Sequence, residues 1–149
     1  MVVGAPMRAL ARRLSAQLPR ASHEGLELLV GDVALAQKAE MFFERTKNAL
    51  NYASVHAPSS YAKLRKEART IVLRSETTSP PYNRFQLAIL VPAQVALEAD
   101  APAYAAWLLY ASGLSRGRRE AAERVSAIER TLDPAERDRV RAWLPWTDG

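Results

Sequence analysis

Few residues in this 149-residue chain could do chemistry by type and spacing. His23 and Glu24 open the stretch "HEGLE", matching the first two residues of the zinc-binding pattern His-Glu-x-x-His. The fifth residue is Glu27, so no second imidazole arrives one helical turn on, and a capping or surface role is expected. His56 is the only other histidine; near the end of a helix it stabilises the negative end of the helix dipole when protonated. With two histidines and no cysteine, the chain has no ligands for a multi-histidine metal centre and no thiolate or disulfide chemistry. No serine lies in a Gly-x-Ser-x-Gly elbow. The carboxylate pairs Glu40/Glu44 and Glu120/Glu123 stand beside basic residues, as surface ion pairs do. The sequence therefore names no catalytic residue, cofactor or metal ligand, and it favours binding over catalysis.

Two groups of residues are candidates for binding. Tyr104, Trp107 and Tyr110 recur at helical spacing and suit a protein partner or a second copy of the chain. The turn "GLSRGR" leads into a helix start, where Arg116, Arg118, Arg119 and Arg124 are candidate anion or nucleic-acid ligands. It lacks the Gly-Lys-Ser/Thr ending and preceding strand of a P-loop. The net charge is +5, and 17 of the 21 basic residues are arginine. That excess is spread thinly along the chain, so nucleic-acid binding is not favoured over a mixed, solvated surface.

These residues must be held by helices. "DVALAQKAEMFFERTKNALNYASVHA" predicts a helix of about 24 residues, with Asp32 as cap and Leu35, Ala39, Phe42, Thr46, Ala49, Leu50 and Ala53 as its buried stripe. "PSSYAKLRKEAR" restarts a helix on Tyr61, Leu64 and Ala68. The β-branched run "TIVLRS" and the alternating "RFQLAILV" predict strands at about 70–75 and 85–91, joined as a small two-stranded hairpin by a proline-rich loop; the alternative for 85–99 is a helix kinked at Pro92. Three helices follow. The first starts at Asp100 and Pro102 and exits at Gly113, taken as left-handed. The second buries Ala121, Val125, Ile128 and Leu132, and the third begins at the Asp133–Pro134–Glu136 capping box. The N-terminal 22 residues, with Met7, Leu10, Leu14 and Leu18 on one helical face, predict an amphipathic helix docked loosely on the domain, although an acid-free, arginine-rich composition is also that of a targeting peptide. "FQLAILVPAQVAL", 13 residues with a proline, is too short to cross a bilayer, which takes about 20. A single mainly helical, cytoplasmic domain is expected.

"AYAAWLLYASGL" followed by "EAAERVSAIERTLDPAERDRVRAWL" resembles the closing helices of the Sel-like branch of tetratricopeptide repeat proteins. The likeness covers residues 100–144 and implies a helical interaction surface without catalysis. A rival likeness, carried by "HAPSSYAKLRKEARTIVL" and "ALEADAPAYAAWLL", is to bacterial zincin-like proteins. There the helix would carry His-Glu-x-x-His, but Tyr110, Ala111 and Leu114 stand at those positions, so this resemblance implies a relative that has lost its metal and its peptidase activity.

Overall fold

A computed structural model describes residues 18–144. The described chain opens with strands β1 (Arg20–His23) and β2 (Leu26–Val30), paired antiparallel. Glu24 and Gly25 form their two-residue turn with φ of 49° and 87°, the positive values a tight primed turn demands. "HEGLE" is therefore a hairpin tip, and Glu24 accepts a 2.5 Å hydrogen bond from the Tyr61 hydroxyl. Of the expected N-terminal helix, residues 1–17 lie outside the described residues, and residues 20–22 are strand.

A six-residue 3-10 stretch (Val33–Lys38) leads into helix α1 (Ala39–His56). Asp32 does not cap it. Its carboxylate accepts the Ser75 amide at 2.6 Å and lies 3.7 Å from Arg74 Nε, pinning the 3-10 stretch to a neighbouring strand end. The expected stripe from Ala39 to Ala53 is buried throughout. Helix α2 (Pro58–Glu67) starts on a proline, which loses nothing there because the first helical amide has no intrahelical acceptor.

Strands β3 (Thr70–Arg74), β4 (Tyr82–Asn83) and β5 (Ala88–Pro92) complete a five-stranded mixed sheet in the order β1-β2-β3-β5-β4. This corrects the expected mainly helical fold with a two-stranded hairpin: the protein is α/β. The two strands expected at 70–75 and 85–91 do lie side by side, but parallel, with Ile71 facing Ile89 and Leu73 facing Val91. The 13 residues between Arg74 and Ala88 are long enough to carry the chain across, and they place the short antiparallel β4 outside β5. Phe85 and Leu87, which seemed to extend the alternation, belong to the turn: Phe85 is 98% exposed and Leu87 has φ 51°. Both readings of 85–99 were half right, since the strand ends at Pro92 and helix α3 (Ala93–Glu98) begins on the next residue.

Leu28, Ile71 and Ile89 form one in-register row and Val30, Leu73 and Val91 the next, all buried under the helices. The central helix is α4 (Ala101–Gly113), buried at every residue from Ala103 onward and capped by Asp100, whose carboxylate accepts the Ala103 amide at 3.0 Å. Its buried residues look to α1, to α5 (Arg118–Glu129) and to α6 (Pro134–Arg141), so no polar face survives. Arg45 of α1 donates to the Ala96 and Ala99 carbonyls, closing the end of α3.

Gly113 does not make the expected left-handed exit; its φ is −64° and the left-handed residue is Gly117, at 110°. Gly113 is needed for proximity, because a Cβ there would lie 2.6 Å from the Ala121 Cα. The capping box on α6 forms as expected, with Asp133 accepting the Glu136 amide at 2.8 Å and Glu136 accepting the Asp133 amide at 3.2 Å. Asp133→Ala is expected to cost about 1 kcal/mol and to lower the midpoint of a thermal melt by about 3 °C.

Candidate functional site

The proline-rich loop, α3, α4 and the end of the described chain surround a cleft of about 900 Å³. Its floor is one face of α4, where Trp107 and Tyr110 stand one turn apart and Leu114 follows just past the helix end. The loop 77–81 forms one wall and Pro92, Gln94 and Val95 another. Arg118 at the head of α5, and Ala142, Trp143 and Leu144 beyond α6, close the third. A second hollow of about 570 Å³ adjoins it beside β4, sharing Thr78, Ser79, Pro80 and Leu114 and adding Tyr82, Arg84, Phe85 and Ser115. The volume and the aromatic lining are those of a site that buries a ligand's apolar groups while a few polar groups orient it.

The aromatic residues expected to bind together are divided by the fold. Tyr104 is 1% exposed and bonded to Thr46 Oγ1 at 2.7 Å, in the core between α4 and α1. Burial pushes its hydroxyl pKa well above the ordinary value. Trp107 and Tyr110 line the cleft while remaining buried, at 4% and 7% exposure. Burial also raises the Tyr110 pKa, and the positive charge of Arg118 opposes that rise.

The four arginines do not converge either. Arg124 is 2% exposed and grips Glu67 with two bonds, Nη1 at 2.6 Å and Nη2 at 3.0 Å, while its Nε bonds Glu120 at 3.0 Å and its Nη1 reaches Ser112 Oγ at 3.1 Å. Arg116 pairs with the same Glu67 at 3.2 Å. Arg119 is exposed on the outer surface, and Arg118 alone of the four lines the cleft. Burial pushes the Glu67 carboxyl up, but the hydrogen bonds and charges of Arg124 and Arg116 outweigh it and hold the carboxyl below the usual range. The Arg124 hydrogen bond, and after it that of Lys63, lowers Glu120 likewise. This network ties α2, α4 and α5 together and spends two of the candidate anion ligands on carboxylates of the chain itself.

His56 lies against the Tyr52 ring, with centroids 4.2 Å apart, and His23 Nε2 is buried without a hydrogen-bond partner. Among the described residues no three or more His, Asp or Glu side chains gather where they could hold a metal ion. Also among them, no helix is long and apolar enough to cross a membrane.

Sequence reasoning read the proline-rich 75–83 stretch only as a connection between strands, so it missed one wall of the cleft. The legible signal was a tryptophan and a tyrosine one turn apart on a helix otherwise too apolar for a surface. Nothing in the order of residues says that a loop some 30 positions earlier folds over them. No known family model, curated protein or solved structure matches this chain.

Proposed function

We propose that this protein is a non-catalytic protein-interaction module, and that its receptor surface is the cleft floored by Trp107 and Tyr110. The observation that carries the reading is the cleft's composition: among the described residues its lining is aromatic rings, prolines, aliphatic side chains, hydroxyls, the Gln94 carboxamide and one guanidinium, without a carboxylate or imidazole to serve as base or ligand. Trp107 and Tyr110 are 4% and 7% exposed and form a fixed floor, so the area a partner would cover comes chiefly from the half-buried Trp143 and the exposed Pro80, and a rigid aromatic ring loses little rotamer freedom on binding. Panning a random-peptide library on the full chain is expected to yield segments that share one site and quench tryptophan fluorescence. The half-buried Trp143 gives a substitution that spares the core; Trp143→Ala should weaken those segments about tenfold, the loss of one aromatic anchor. Peptides that bind equally well to Trp143→Ala, or that are cleaved by the pure chain, would overturn the proposal.

A further inference from the structure

The two adjoining hollows carry a consistent charge. Among the described residues, the ionised side chains that line them are Arg84 and Arg118, and no described aspartate or glutamate lines either one. The chain as a whole has 16 acidic residues against 21 basic ones, so a stretch of surface this large without a carboxylate is a local feature. Among the described residues neither guanidinium is paired with a carboxylate in the way that Arg116 and Arg124 are; Arg84 Nη2 makes one long bond of 3.4 Å to the Ser115 carbonyl. The same two hollows are lined by apolar surfaces from Trp107, Leu114 and Pro80, and by Phe85, which is 98% exposed. The Asn83 carboxamide oxygen accepts the Phe85 and Gln86 amides at 3.0 and 3.1 Å, so the fully exposed ring is presented by a stiff turn and not by a slack loop.

From this arrangement we infer that the cleft and its neighbouring hollow recognise an acidic peptide segment bearing aromatic or aliphatic side chains, with Arg84 and Arg118 meeting its carboxylates and the apolar lining covering its apolar groups. The inference rests on the interaction-module reading and adds the chemistry of the partner. Two cations beside an apolar trough select against basic segments, which would bring like charges together in a partly desolvated site. Guanidinium groups suit this role because their fork matches a carboxylate without a change of protonation state.

The test is fluorescence anisotropy of the full chain with two labelled eight-residue peptides, one alternating phenylalanine with aspartate and one alternating phenylalanine with lysine. The acidic peptide is expected to bind, and to bind about tenfold or more tighter than the basic one. Arg84→Gln and Arg118→Gln are each expected to weaken it about threefold and together about tenfold, as exposed charges do, with Arg118→Lys restoring part of the loss. Raising the salt should weaken the acidic complex. Both arginines are exposed, so these variants keep the core intact, and an unchanged thermal melt verifies that. Equal binding of the two peptides, or indifference to both arginine substitutions, overturns the inference and leaves the interaction module standing. Failure of both peptides at millimolar concentration, with the chain monomeric, overturns the inference, and a peptide library that also yields no binder overturns the module itself. Self-association of the chain that is lost in Trp143→Ala, with both peptides unbound, overturns the inference and assigns the cleft to a second copy.

Discussion

Arg124→Ala is expected to destabilise the fold by about 3–5 kcal/mol, measured as a lower urea midpoint at pH 7. The guanidinium is 2% exposed and serves two carboxylates and one hydroxyl from three helices. Removing it leaves Glu67, whose side chain is only 12% exposed, with the outlying Arg116 as its remaining charged partner. Much of the cost is therefore the stranded carboxylate and not the loss of the bond. Arg124→Met combined with Glu67→Leu, which removes both charges and keeps the volume filled, should recover most of the deficit.

The same network sets an acid limb on stability. The Glu67 and Glu120 carboxyls titrate below their ordinary value of 4.5 in the folded chain. A depressed carboxyl contributes stability that is present above the unfolded-state pKa and is lost as pH falls through the folded-state pKa. The gap in stability between the parent chain and the Met/Leu double variant should consequently move against the parent as pH drops below about 4.5, and should be flat between about pH 6 and 8. A gap that stays constant down to pH 3 would show that the ion pairs contribute nothing beyond packing.

Gly113→Val is expected to cost about 3 kcal/mol. At the helical φ of −64° alanine or valine normally gains over glycine in backbone entropy, so local conformation alone favours a neutral or stabilising change. Contact reverses the sign: the added Cβ would sit 2.6 Å from the Ala121 Cα and 3.0 Å from its amide nitrogen, backbone atoms that cannot swing aside. Helices α4 and α5 must separate, and the Arg124 side chain, 3.2 Å from the same point, loses its seat. Gly117→Ala is the useful contrast. Nothing lies within 4 Å of its Cβ site, so its smaller cost comes from the φ of 110° alone.

Most helices were legible because a one-sided apolar stripe is written locally: Phe42, Thr46, Ala49 and Leu50 on α1, Ala121, Val125 and Ile128 on α5, and the Asp133 capping box ahead of α6. The β1–β2 hairpin was missed although Leu26, Leu28 and Val30 alternate and the Glu24–Gly25 turn precedes them, because a strand of five residues carries little signal beside a helix of eighteen. The α4 helix was legible as a helix but not in its role, since a segment buried on all sides has no face for periodicity to reveal. Hence Tyr104, Trp107 and Tyr110 looked like one surface, whereas Tyr104 turns to Thr46 and the other two to the cleft.

By itself, the sequence determined that thiol and disulfide chemistry is not available to this chain, since it has no cysteine, and it determined where most of the helices run, since spacing and caps act within a few residues. Only the tertiary structure decided that strands 70–74 and 88–92 run parallel, that Arg124 is an internal brace while Arg118 faces a cleft, and that a proline-rich loop roofs Trp107. Those outcomes depend on contacts between residues tens of positions apart, whose energies no local pattern records.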